Sequence, residues 1–116
     1  FFSLGLYKNE NVVKVTTEEK LTNINFPNAT SFFRKMVDQT KNTYHHLGVY
    51  CYQKETLKKF VSYKQSFSER KYKLEQFRAL ENDIKINVAL AKTSPIGVDT
   101  EEDFLAIKKI MEYKSK

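Results

Sequence analysis

Residues 66–90 read SFSERKYKLEQFRALENDIKINVAL, and the apolar period changes within them. Leu74, Phe77 and Leu80 recur every three residues, as on one stripe of a helix. Ser66 and Glu69 stand ahead of that stripe in capping-box register, so the spacing predicts one helix from Ser66 to Asn82. Ile84, Ile86, Val88 and Leu90 then alternate with their neighbours, which predicts a strand with one buried face. A helix leading directly into a strand implies a mixed fold, α/β or α+β.

The flanking stretches extend this pattern. Upstream, the β-branched run VVKV (residues 12–15) predicts a first strand within Leu4–Thr16. LTNINF (21–26) alternates and predicts a second, with Glu18, Glu19 and Lys20 in the turn before it and Pro27 and Asn28 ending it. TSFFRKMV (30–37) suits a short helix, and DQTKNT (38–43) is a polar loop. HHLGVYCY (45–52) predicts a third strand. KETLKKFVSY (54–63) carries Leu57, Phe60 and Val61 at helical spacing. Downstream, the loop AKTSPIGV (91–98) leads to a last helix expected to bury Phe104, Ile107, Ile110 and Met111. Thr100 and Asp103 cap that helix, and Glu101, Glu102 and Asp103 suit the positive end of its dipole. Asp99 lies outside the helix and is not needed for the cap.

The bulk numbers bound the function. A chain of 116 residues, 41% hydrophobic and 29% charged, suits one soluble globular domain. No apolar run approaches the roughly 18 residues of a membrane span, and no signal peptide is present. A chain that begins with Phe1 reads as a cut piece or a processed product. The net charge of +6 comes from 20 basic and 14 acidic side chains. The basic residues are spread among acids, so a solvated surface is preferred over a nucleic-acid patch.

Three glycines, Gly5, Gly48 and Gly97, cannot build a glycine-rich phosphate loop. Cys51 stands alone, which excludes a cysteine-rich zinc site and fits a reducing compartment. In an apolar strand it reads as a small core residue rather than a nucleophile. Asn28-Ala29-Thr30 forms a glycosylation sequon, read as chance.

His45 and His46 are adjacent, so on a strand they point to opposite faces and do not share a metal. His45, Leu47, Val49 and Cys51 form the expected core face. His46, Gly48, Tyr50 and Tyr52 form a polar, aromatic face with a glycine gap. That face suits either a ligand wall or an ordinary half-exposed surface. Glu75 and Gln76 sit beside the helix stripe, where a solvated pair is the plain reading.

Taken together, HHLGVYCY, KLEQFRALEN (73–82) and IGVDTEEDF (96–104), in this order and with these gaps, resemble the C-terminal half of the CMP-Kdo synthetases, the 3-deoxy-manno-octulosonate cytidylyltransferases. NVVKVTTEEKLTNINF (11–26) looks like the strand pair preceding that half. The resemblance runs from about Asn9 to Met111. It implies the C-terminal half of a Rossmann-like nucleotide-diphospho-sugar transferase fold, an α/β arrangement with a mixed sheet flanked by helices. Residues 1–116 would then be a single domain or fragment, bearing the sugar-binding and dimerisation half, with the N-terminal CTP-binding half absent.

The resemblance also implies an activity. In the family the anomeric hydroxyl of Kdo, an eight-carbon sugar acid of lipopolysaccharide, attacks the α-phosphate of CTP, and pyrophosphate leaves. Such chemistry rests on positioning and charge neutralisation. Asp99 matches the aspartate of the GVDT motif, which implies a catalytic Mg2+ ligand. His46 and Tyr50 match the His-x-Gly-x-Tyr strand that contacts the sugar acid. Glu75 and Gln76 match the helix pair that bonds sugar hydroxyls. The implied partners are CTP, a Kdo-like sugar acid and a second copy in a homodimer, with no nucleic acid and no membrane, in the cytoplasm.

Departures accompany the match. Where the family strand ends in Phe-Ser-Arg, this reading places Phe26-Pro27-Asn28, which removes the arginine expected to meet the sugar carboxylate. Phe67 and Tyr72 stand where the helix motif has proline and glutamate. These departures motivate an alternative, a non-catalytic dimerising module derived from the same fold. A basic RNA-binding module using the tyrosines is a third reading.

Overall fold

The computed structural model describes residues 10–35, 41–92 and 97–115. Three strands form one antiparallel sheet: β1 (Lys14–Thr17), β2 (Ala29–Phe33) and β3 (Thr43–His45), in the order β2-β1-β3. The registers pair Val15 with Phe32 and with Tyr44. Among the described residues four helices follow: α1 (Lys54–Ser62), α2 (Phe67–Tyr72), α3 (Gln76–Glu81) and α4 (Glu101–Lys114). The core is Val15, Ala29, Phe32 and Leu74, with Tyr44, Phe77, Leu80, Ile86 and Val88 packed against it. The α2–α3 segment therefore covers one face of the sheet, as the Leu74-Phe77-Leu80 stripe predicted.

Two strand expectations move. Residues 21–26 form no strand. Asn25 Oδ1 accepts from the backbone N–H and the hydroxyl of Thr22, and Asn25 Nδ2 donates to the Lys20 carbonyl. Asparagine and threonine side chains here take the backbone partners a ladder would need, and Ile24 and Phe26 stay exposed. The second strand is instead Ala29–Phe33, where a helix was expected. Phe32 is buried opposite Val15, and cross-strand aromatic and β-branched pairing outweighs the local ambiguity. Residues 36–40, from that expected helix and the polar loop after it, lie outside the described residues, as do Leu4–Asn9 and part of the 91–98 loop.

The expected strand at 84–90 keeps its alternation without its ladder. Ile84, Ile86 and Val88 are half-buried between exposed neighbours. Pairing is limited to the Asn28–Asn87 bridge, with Ala29 N–H on the Ile86 carbonyl and Val88 N–H on the Pro27 carbonyl. Pro27 has no N–H to continue it.

The single helix expected over 66–82 is two. Its start is as read, since Ser66 and Glu69 form the reciprocal capping box. It ends at Lys73, which takes the left-handed conformation (φ 55°, ψ 45°). Glu69 and Arg78 explain the gain. In one continuous helix they would lie about 13.5 Å apart along the axis and on opposite sides. The break lets Arg78 reach Glu69 with Nε (2.9 Å) and Nη2 (2.5 Å).

α4 carries the capping box read from Thr100 and Asp103. It does not bury its apolar residues: Phe104, Ile110 and Met111 are exposed and only Ile107 is half-covered. No helix of the described residues is long and apolar enough to cross a membrane.

Candidate functional site

A broad open cleft of about 1320 Å³ runs between the sheet end, the α2–α3 break and the start of α4. It gathers all five residues singled out from the sequence: His46 and Tyr50 on one wall, Glu75 and Gln76 on another, and Asp99 on the third. They are up to 53 residues apart in the chain, so only the fold brings them together.

The first wall follows β3. The strand expected over 45–52 is formed only at its first residue: β3 is Thr43–His45, beginning in the expected loop, although His46 N–H still donates to the Val13 carbonyl (2.9 Å). Beyond it the chain bends at Gly48, with Val49 N–H on the Leu47 carbonyl (2.8 Å), yet the rings of His46, Tyr50 and Tyr52 stay neighbours. Phe32, His46, Tyr50, Tyr52 and Phe60 form a row of neighbouring rings with centroids 5.2–6.1 Å apart. A Cβ added at Gly48 would meet nothing within 4 Å, so the glycine leaves the wall open there. The opposite face is not the core face expected: Val49 is 85% exposed and Cys51 is exposed. The sheet ends before them, so no layer covers that side.

Burial, and then the neighbouring His45, holds the His46 imidazole below the ordinary value of 6.5. It is therefore neutral near pH 7, with one ring nitrogen able to donate and the other to accept a hydrogen bond. Burial pushes the Tyr50 phenol up to about 12, against the lowering effect of its hydrogen bond with Gln76, and Glu75 and Tyr52 add to the rise.

The second wall is built where the helix breaks. Gln76 is buried, and its Nε2 donates to Tyr50 Oη (2.5 Å), which joins the first wall to the second. Gln76 Oε1 is buried with no partner among the described residues. Glu75 precedes α3 and stays exposed on the cleft. The third wall is the entry to α4. Asp103 Oδ2 accepts from the N–H groups of both Asp99 and Thr100. The cap is made by Asp103, which leaves the exposed Asp99 carboxylate outside it, facing the cleft.

Sequence reasoning missed Arg34. The strand that should end in an arginine is β2, not 21–26, and Arg34 follows it directly and lines the cleft. Phe26-Pro27-Asn28 is therefore no substitute for the arginine. The signal was the run Phe32-Phe33-Arg34, hidden by the misplaced strand. Arg34 is held by the carbonyls of Lys73 (3.2 Å) and Glu10 (3.4 Å), and the buried Lys14 donates to the Arg34 carbonyl. Arg70 and Lys73 line the cleft as well. The cleft lining thus mixes the cations Arg34, Arg70 and Lys73 with the acids Glu69, Glu75, Asp99, Glu102 and Asp103.

Among the described residues no group of three or more histidine, cysteine or acidic side chains could hold a metal ion. Asp99 fits Mg2+ as a single carboxylate. That suffices for an ion that takes one or two protein carboxylates and completes its shell with water and phosphate oxygens.

No family model matches the chain. Among curated proteins it is similar to the 3-deoxy-manno-octulosonate cytidylyltransferase of Bartonella tribocorum, 50% identical over 68 residues, covering 59% of this chain and 28% of that protein. The enzyme of the same name from Bartonella bacilliformis is 38% identical over 107 residues, 89% of this chain and 42% of that protein. The one from Afipia carboxidovorans is 37% identical over 109 residues, 90% and 42%. The chain spans less than half the length of these relatives. A solved structure of CMP:2-keto-3-deoxy-manno-octonic acid synthetase complexed with CTP superposes with a TM-score of 0.76 at 24% identity, over 97% of this chain and 46% of that one. The fold is therefore that of part of such an α/β enzyme.

Proposed function

We infer that this chain, which corresponds to part of the CMP-Kdo synthetase family, forms the sugar-acid side of a cytidylyltransferase site. The complete site would transfer CMP from CTP to a Kdo-like sugar acid and release pyrophosphate. The observation that carries this reading is the single cleft that unites His46, Tyr50, Glu75, Gln76 and Asp99 with Arg34. A polyhydroxylated acid needs both kinds of partner found there. Arg34 offers a planar fork to the carboxylate. His46, Tyr50, Glu75 and Gln76 offer convergent donors and acceptors to hydroxyls.

Asp99, which lines the same cleft, is the residue that would hold Mg2+. When bound, the ion neutralises charge on the phosphates of CTP. The chain's own residues bind and orient the sugar acid so that its hydroxyl meets the α-phosphate in line. A cytoplasmic homodimer accords with this reading.

The test is a thermal melt of the chain with millimolar Kdo and magnesium, against a neutral hexose. Ligand at about 100 times its dissociation constant adds roughly 2.7 kcal/mol, a shift of several degrees for a domain of this size. A shift with Kdo and none with the hexose is expected. Equal shifts, or none, would overturn the sugar-acid assignment and favour a scaffold.

A further inference from the structure

Arg78 does not line the cleft, yet its guanidinium contacts lead there. On one side its Nε and Nη2 grip both carboxylate oxygens of Glu69, at 2.9 and 2.5 Å, with both side chains largely buried. On the other, its guanidinium lies over the Phe60 ring of α1, 4.7 Å from the centroid. Phe60 neighbours Tyr52, and Tyr52 neighbours Tyr50. Two residues before Arg78, on the same short helix, Gln76 donates to Tyr50.

α2 and α3 have six residues each, too few to hold themselves in place by helical propensity. Neither has a covalent tie to α1 beyond the chain. Among the described residues the Gln76 amide is anchored at Nε2 alone, because its Oε1 has no donor there. Its direction is therefore set by where α3 sits. α3 is placed by the stripe Leu74, Phe77 and Leu80 on the core, which is apolar and tolerant of rotation. The directional contact is the Arg78 fork.

We propose that Arg78 is a positioning residue: clamped between Glu69 and Phe60, it sets the register of α3 and so holds the Gln76 amide on Tyr50 in the sugar-acid wall. The consequence for ligand rests on the function proposed above; the positioning itself does not. A lysine at 78 keeps the charge but loses the fork and the flat stacking face, so it separates the two.

The experiment uses the full 15N-labelled chain and Arg78→Lys. The Gln76 side-chain NH2 signals, assigned by their disappearance in Gln76→Ala, should shift and exchange faster with solvent in Arg78→Lys, while the Val15 and Phe32 amides stay in place. Kdo titrated calorimetrically at a temperature where both proteins are folded should bind about tenfold more weakly to the variant. In a Gln76→Ala background, Arg78→Lys should cause no further loss. A purely structural residue would lower the melting temperature and leave the Gln76 signals and the affinity of the folded protein alone. Unmoved Gln76 signals, an affinity within twofold of the parent, or additive losses would each overturn the proposal. If Arg78→Lys does not fold, Glu69→Leu/Arg78→Met replaces the whole buried pair by apolar groups, an exchange that folds generally tolerate, and the same readouts apply. A parent chain that does not bind Kdo would overturn the proposed function, and the Gln76 signals would still decide the positioning.

Discussion

Tyr50 is subject to opposing influences. Burial and the nearby Glu75 and Tyr52 raise its phenol, and the hydrogen bond with Gln76 lowers it, with a net value of about 12. Of the seven tyrosines, Tyr50 should ionise about two units later than a free phenol in a spectrophotometric titration, and Tyr50→Phe should abolish that late step. Because the folded value lies above the unfolded one, the stabilising contribution is complete below pH 10 and disappears as the pH rises through 12. A titration in which no tyrosine lags would mean that the phenol is not buried against Gln76. Arg34 makes the complementary point about what a single residue reveals. The sequence placed its strand end at Phe26, because LTNINF alternates as well as any strand, and so treated the arginine as lost. The Thr22–Asn25 hydrogen bonds that turn this segment away are side-chain choices that alternation cannot register. With the strand at 29–33, Arg34→Lys should remove the fork while keeping the charge, and reduce the Kdo-induced melting shift by a factor of several.

The elements differ in how far local rules decided them. Both capping boxes were legible because a cap needs only residues three positions apart. Thr100→Ala should cost about 1 kcal/mol of α4 stability. Its measurable sign is faster amide exchange in the first turn, at Asp103 and the cap beside Asp99. The break at Lys73 was not legible. No glycine marks it, and a lysine in the left-handed region costs roughly 1–2 kcal/mol relative to a helical conformation. It persists because Leu74 enters the core, Arg34 binds the Lys73 carbonyl and Glu69 meets Arg78. Lys73→Gly should therefore stabilise the chain by about 1 kcal/mol in denaturant unfolding, since glycine adopts this conformation without a Cβ clash. A loss of stability would show that the lysine side chain is needed in its own right. α4 is the reverse case: its stripe was clear, and the structure leaves that stripe uncovered.

At the scale of the molecule, the Glu69–Arg78 pair is the main electrostatic commitment. The Arg78 hydrogen bonds hold the Glu69 carboxyl below its ordinary 4.5, against burial. A lowered carboxylate contributes stability that is fully present above pH 4.5 and is lost as the pH falls through the folded value. Acid unfolding should therefore steepen below pH 4.5, and Glu69→Leu/Arg78→Met should flatten that limb. Removing Arg78 alone, as Arg78→Ala, should cost about 3–5 kcal/mol because it strands a buried charge. By itself the sequence determined the mixed fold class, the first strand, the helical segments from Lys54 onward, both caps and the five residues that line the cleft with Arg34, because each depends on residue type, short spacing or an ordered set of motifs. Tertiary structure alone decided which segment became β2, where the helix broke, that Arg34 lines the cleft and that Glu69 pairs with Arg78. Those outcomes are settled by pairing across 9 to 39 residues of chain, where burial and buried ion pairing outweigh the local preferences a sequence displays.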